Sequence, residues 1–167
     1  MAITLEELLE ARDNRRLAQL SMIEANPGMT LVVLTVNIPG SEKRTPDSLV
    51  VGREGVKALE CALHPESVEV RDLITGFEAF LLVRMDRQEA KKLAVGIETG
   101  HPLGRLMDID VFDTDGTPVS RTALGHASRR CLICGEDARV CMRTFAHTQS
   151  ELQDKIHSIV KAYVQRH

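Results

Sequence analysis

The stretch Gly104-Arg105-Leu106-Met107-Asp108-Ile109-Asp110-Val111-Phe112 carries the residues best suited to chemistry. Alternate side chains of a strand share a face. Asp108 and Asp110 would therefore sit roughly 6–7 Å apart on one side, with Ile109 and Val111 on the other. Two carboxylates at that separation repel each other and are costly to bury unpaired. A hard divalent cation such as Mg²⁺, which keeps waters and also binds phosphate oxygens, removes that cost. Gly104 and Arg105 lie where the chain enters the strand, and exposed backbone beside a guanidinium suits a phosphate group. Such a set supports attack on a phosphoryl centre, with Arg105 on the leaving group and Asp108 or Asp110 near the proton. The plain alternative is a solvated strand face that runs into an acidic turn at Asp113 and Asp115.

Further cations are candidates for anion contacts. Lys43 and Arg44 lie in a loop bracketed by Pro39 and Pro46, and Arg121, Arg129 and Arg130 follow the strand. Two prolines reduce the entropy lost when such a loop is ordered. The same side chains would also suit docking of an acidic protein partner, and the pattern does not separate the two roles. His64, His101 and His126 are secondary candidates for a proton acceptor, although a lone His beside a Pro or Gly is more often a cap or surface residue.

A second constellation lies downstream. Cys131-Leu-Ile-Cys134-Gly135, Cys141 and His147 read C-x₂-C-x₆-C-x₅-H, which offers the four ligands of a closed structural zinc site. Reduced cysteines packed as small apolar side chains are the alternative. Disulfides are not expected in a chain read as cytoplasmic.

These residues need elements to position them. Thr4 with Glu7 forms a capping box, opening a helix that ends at Asn26-Pro27-Gly28. Its apolar stripe is Leu5, Leu8, Leu9, Leu17, Leu20 and Met22, and the charged 12–16 segment is expected to face water. The apolar run 29–38 reads as a buried strand. A helix from Asp47 or Ser48 to about Leu63 follows, with Gly52 and Gly55 weakening its first turns. Strands at 67–75 and 77–84, a helix over 86–98 capped by Asp86, and a strand over 106–112 complete the set. Asp113 to Gly116 is a tight turn, after which Val119 pairs back. The order β-α-β-β-α-β over 29–112 predicts an α+β ferredoxin-like sandwich, a four-stranded antiparallel sheet with two helices on one face. The N-terminal helix and a helical, cysteine-containing extension over 121–167 are additions, with Thr148 and Glu151 capping the last helix. One domain over 1–167 is expected.

Bulk composition narrows the class. The chain has 167 residues, 43% of them hydrophobic and 27% charged, as in an ordinary globular protein. A net charge of −3 and 3% aromatic content argue against nucleic-acid binding, which calls for a basic surface and stacking platforms. No run approaches the roughly 20 apolar residues that span a bilayer, and the acidic N-terminus is unlike a secretory signal.

Three separated motifs, in order, carry a resemblance along nearly the whole chain. They are Asn37-Ile-Pro-Gly-Ser-Glu-Lys-Arg-Thr-Pro46, His101-Pro-Leu-Gly-Arg-Leu-Met-Asp-Ile-Asp-Val111 and Arg129-Arg-Cys-Leu-Ile-Cys134. The sequence resembles the citrate lyase holo-acyl-carrier-protein synthase family, the apo-citrate lyase phosphoribosyl-dephospho-CoA transferases. The resemblance implies a nucleotidyltransferase-type enzyme. Its donor would be 2′-(5″-triphosphoribosyl)-3′-dephospho-CoA, its acceptor a serine of the citrate lyase acyl carrier (gamma) subunit, and its by-product pyrophosphate. Position 107 holds Met where the resemblance leads one to expect an aromatic residue. The competing readings are a non-enzymatic zinc-bearing adaptor, which leaves the 104–110 strand without a task, and a nucleotidyltransferase for another substrate.

Overall fold

The computed structural model describes residues 2–166. Its core is a four-stranded antiparallel sheet in the order β2-β3-β1-β4, formed by β1 (Thr30–Val36), β2 (Ser67–Leu73), β3 (Gly76–Val83) and β4 (Met107–Phe112). Helices α1 (Leu5–Ala25), α2 (Pro46–Leu63), α3 (Arg87–Gly100), α4 (Ala138–Thr144) and α5 (Gln149–Val164) surround it. The order from β1 to β4 is the one the sequence pattern predicts. No described helix is long and apolar enough to cross a membrane.

Alternation along the strands creates two apolar layers. Val32, Leu34, Ala79, Leu81, Met107, Ile109 and Val111 join the larger core, which includes α2, α3 and α5 through Leu59, Ala94, Ile156 and Val160. Leu31, Val33, Phe80 and Phe112 form a smaller layer on the opposite face, met by Ala18, Met22 and Ile23 of α1. The helix α1 is therefore a thin cover, and of its expected stripe Met22 packs on the sheet while most of the leucines do not. Leu5, Leu9 and Leu17 are exposed, and no residue of α1 is fully buried. Nor does the 12–16 segment wholly face water, because Arg15 reaches Glu78 on β3 at 3.0 Å. Glu78 is itself buried, so this guanidinium compensates its desolvation.

The sequence places the start of α2 one or two residues late. Thr45 is the N-cap, its hydroxyl accepting from Ser48 N at 3.1 Å, and Pro46 occupies the first turn, where its fixed φ is already helical. The two glycines that weaken this helix serve its packing. A Cβ on Gly55 would lie 2.7 Å from Leu34 on β1, and a Cβ on Gly52 would enter the ring of Phe77. They let α2 lie close over the sheet. The helix α5 is then fixed to α2 by Tyr163 Oη donating to Glu54 at 2.7 Å, and by His157 Nδ1 lying 3.0 Å from Asp47.

Replacing Gly52 by Ala tests this close approach. Helix propensity favours Ala by about 1 kcal/mol, whereas forcing a methyl into a packed aromatic costs about 1–3 kcal/mol. A net loss of up to about 2 kcal/mol in urea unfolding is expected; a gain would show that α2 does not depend on the contact.

Candidate active site

The edge strand β4 presents Asp108 and Asp110 on the face opposite the main core, opposite Thr35 and Val33 of β1. Both line a cleft of about 750 Å³ beside the outer edge of the sheet. Asp108 is half exposed, while Asp110 is largely buried. Burial, and then the neighbouring Asp108 charge, pushes the Asp110 carboxyl above the ordinary range, with Lys91 and Arg129 pulling the other way.

Among the described residues no strand pairs with the outer edge of β4 along Met107–Ile109, and side chains take that place. Ile109 N donates to Glu98 at 2.8 Å, and Ile109 O accepts from Lys91 Nζ at 2.8 Å. Met107 O accepts from Arg129 at 2.8 Å. Further along, Val119 N donates to Val111 O at 2.7 Å, so the expected return of the chain after the turn is present. Lys91 and Glu98 lie two turns apart on the buried face of α3. Among the described residues, no buried side-chain polar atom lacks a partner.

Glu98 has a second task. Its carboxylate also accepts from Arg121 and Arg129, and Arg129 lies 3.3 Å from Asp108. Arg105 joins this group and donates to the carbonyl of Arg130. Burial, followed by the charges of Arg129 and Arg121, pulls the Arg105 pKa below its usual value. Three guanidiniums thus crowd around one buried carboxylate. The cleft as a whole is lined by Lys43, Lys91, Arg105, Arg121, Arg129 and Arg139 against Glu98, Asp108 and Asp110. The local balance is positive in a chain of net charge −3, and the arrangement suits a polyanion.

The candidate residues divide on position. Asp108, Asp110, Arg105, Lys43, Arg121 and Arg129 line the cleft, as do Cys131, Cys141 and His147. Lys43 Nζ donates to Ile38 O, and burial and then Arg12 hold its pKa below the usual value. Arg44 turns away and makes a two-pronged contact with Asp72 on β2 at 2.8 and 2.7 Å. Arg130 reaches Gly135 O at 3.3 Å and contributes its carbonyl, not its charge, to Arg105. Gly104 is buried against the end of α3, where a Cβ would sit 2.6 Å from Glu98 O, and it is not among the residues lining the cleft. His64 and His101 cap α2 and α3, and neither they nor His126 line the cleft.

Sequence reading missed Lys91 and Glu98. The only signal was a Lys and a Glu seven positions apart on the face of α3 that also carries Ala94 and Val95. The cysteine spacing, by contrast, converges. One ligand atom each from Cys131, Cys134, Cys141 and His147 lies within 4.8 Å of the others. Burial opposes ionisation of Cys131, but backbone N–H groups of Cys134 and Ile133 and the neighbouring thiols outweigh it, bringing Cys131 to about 6. Cys141 is pushed up to about 12, by its hydrogen bond with Cys134 first.

An α+β chain with these motifs falls, by comparison with known proteins, among the transferases. A family model described as apo-citrate lyase phosphoribosyl-dephospho-CoA transferase matches residues 3–163. A probable transferase of that name from Streptococcus pyogenes serotype M18 is 36% identical, over 97% of this chain and 88% of its own length. One from Vibrio cholerae serotype O1 (strain M66-2) is 34% identical over 98% of this chain and 94% of its own. Protein CitXG of Haemophilus influenzae is 37% identical over 95% of this chain, which covers 35% of that longer protein. The chain belongs to the apo-citrate lyase phosphoribosyl-dephospho-CoA transferase family and is an enzyme of the transferase type, which removes the non-enzymatic adaptor from consideration.

Two substitutions test the electrostatics. Glu98→Ala strands two guanidiniums and the Ile109 N–H, and a loss of about 2–4 kcal/mol in urea unfolding is expected, since both arginines keep some solvent. Asp110→Asn should raise Tm at pH 7. A carboxyl whose folded pKa is raised is penalised once ionised, so this gain should shrink as pH falls through the raised pKa and vanish below the ordinary Asp range. A gain that persists at low pH would place its origin elsewhere.

Proposed function

We propose that this chain transfers the phosphoribosyl-dephospho-CoA group from 2′-(5″-triphosphoribosyl)-3′-dephospho-CoA to a serine of the citrate lyase acyl carrier subunit. The observation that carries the reading is the cluster of Arg105, Arg121 and Arg129 beside the Asp108–Asp110 pair, in a member of this family. The arginines and Lys43 hold the triphosphate. The serine oxygen attacks the phosphorus next to the ribose, forming a phosphodiester, and the bond to the bridging oxygen of the pyrophosphate breaks. The hydroxyl proton passes to a carboxylate oxygen of the Asp108–Asp110 pair, which lines the cleft beside the arginines. Arg105 and Arg121 balance the charge that gathers on the departing pyrophosphate.

Two hard carboxylates on one strand face, one raising the pKa of the other, fit a divalent cation. On this reading Asp108 and Asp110 hold Mg²⁺, which when bound supplies charge neutralisation at the transferring phosphate. Of the six elements from β1 to β4, we read the β2-β3-β1-β4 order as a ferredoxin-like sandwich, and the setting as cytoplasmic.

Intact-mass spectrometry of the apo carrier, incubated with this enzyme, Mg²⁺ and the triphosphoribosyl donor, tests the proposal. The carrier should gain the donor mass less pyrophosphate. Asp108→Asn should slow the gain by a factor of about 10²–10³ with the fold unchanged. No gain with a folded enzyme and a competent carrier would redirect the search to another phosphoryl acceptor.

A further inference from the structure

Between β4 and α5 the chain is held by little apolar packing. The helix α4 spans seven residues and buries none of them, and Ile133, Val140, Met142 and Phe145 are exposed, Phe145 at 88%. A helix this short is not stable alone, because nucleation is unfavourable and few bonds repay it. The segment nevertheless forms one wall of the cleft, bringing Arg129, Cys131, Cys141 and His147 to it. Something other than hydrophobic burial must fix it.

We infer that Cys131, Cys134, Cys141 and His147 form a structural zinc site that pins this wall. The Sγ atoms of Cys134 and Cys141 are 3.4 Å apart, and His147 Nε2 lies 3.3 Å from Cys134 Sγ. With Zn–S near 2.3 Å and Zn–N near 2.0–2.1 Å, a tetrahedron has ligand–ligand edges of about 3.5–3.8 Å, which matches a group spanning at most 4.8 Å. The sulfurs are too far apart for a disulfide, whose bond is about 2.05 Å, and the cysteines are free.

The local backbone has the shape of a zinc knuckle. Ile133 N points at Cys131 Sγ at 3.5 Å, Cys131 N donates to Glu136 O, and Gly135 takes a φ of 75° that reverses the chain after Cys134. His147 stands just before Thr148, the N-cap of α5, so the ring is held by a helix that is itself packed through Ile156 and Val160.

The three cysteines bind as thiolates, releasing their protons to solvent, and His147 binds through neutral Nε2. Four protein ligands leave no open position, so the metal is structural. It ties the knuckle and α4 to the start of α5, and with them the backbone that presents Arg129 two residues before the first ligand. This inference does not depend on the identity of the transferred group.

The full-length chain, expressed with zinc supplementation, should carry equimolar zinc by inductively coupled plasma mass spectrometry. Chelation should raise amide hydrogen exchange over residues 128–150 and leave β1 and β3 protected. Cobalt added to the stripped chain should give thiolate-to-cobalt charge transfer and the intense visible bands of a tetrahedral site. Cys134→Ser should lose the metal and Cys61→Ser, in α2, should keep it. His147→Cys, which preserves four ligands, should retain zinc and shift the cobalt bands. A folded chain that carries no zinc and gives no tetrahedral cobalt spectrum overturns the site, as does zinc bound equally well by Cys134→Ser.

Discussion

A carboxylate taken out of water loses solvation that only charged or N–H partners restore, and Glu98 has three such partners on three parts of the chain. The Ile109 N–H comes from the edge strand, Arg121 from the stretch after the acidic turn, and Arg129 from the approach to the cysteines. The same contacts therefore seat α3 against β4, occupy an edge N–H, and aim two guanidiniums into the cleft. Lys91, seven residues earlier on the same helix face, satisfies the matching carbonyl. Stability of the edge and shape of the cleft rest on one ionised group.

The cleft has walls of different material. Behind β4 lies a continuous aliphatic core, so Asp108 and Asp110 are carried by a rigid support. Across from it, residues 121–147 depend on ion pairs, turns and the cysteine–histidine cluster. Arg129 bridges the two by contacting Glu98, Met107 O and Asp108 together. Cations already held in place lose less side-chain entropy when a polyanion arrives, and that favours binding that depends on geometry as well as charge.

Local chemistry was legible in the residues. Thr4, Asp86 and Thr148 cap helices because a side-chain oxygen finds an N–H two or three residues away, a distance the chain itself sets. The strand alternation around Ile109 and the C-x₂-C-x₆-C-x₅-H spacing are equally local, and both persist in the fold. What failed to show was long-range. Nothing near Arg44 in the sequence announces Asp72 on β2 as its partner, and nothing near Arg15 announces Glu78. The leucines of α1 looked like a buried stripe because periodicity reports a helix, not whether a sheet has room for that face. Glu98 was hidden for the same reason, since a helical glutamate reads as solvated until three donors converge on it. Position 107 accommodates Met within the main core, its side chain reaching the space beside Gly55.

The edges of the sheet also bear on how the chain behaves among its own copies. A strand with free N–H and C=O groups is a template on which another chain can add. On β4 the carbonyls of Met107, Ile109 and Val111 and the Ile109 N–H are already occupied. On the opposite edge, β2 carries Glu69, Arg71 and Asp72, charged side chains of the kind that discourage edge-to-edge pairing. The sheet is thus closed to growth by occupancy on one side and by charge on the other, a safeguard against self-association for a chain that leaves several leucines of its first helix in water.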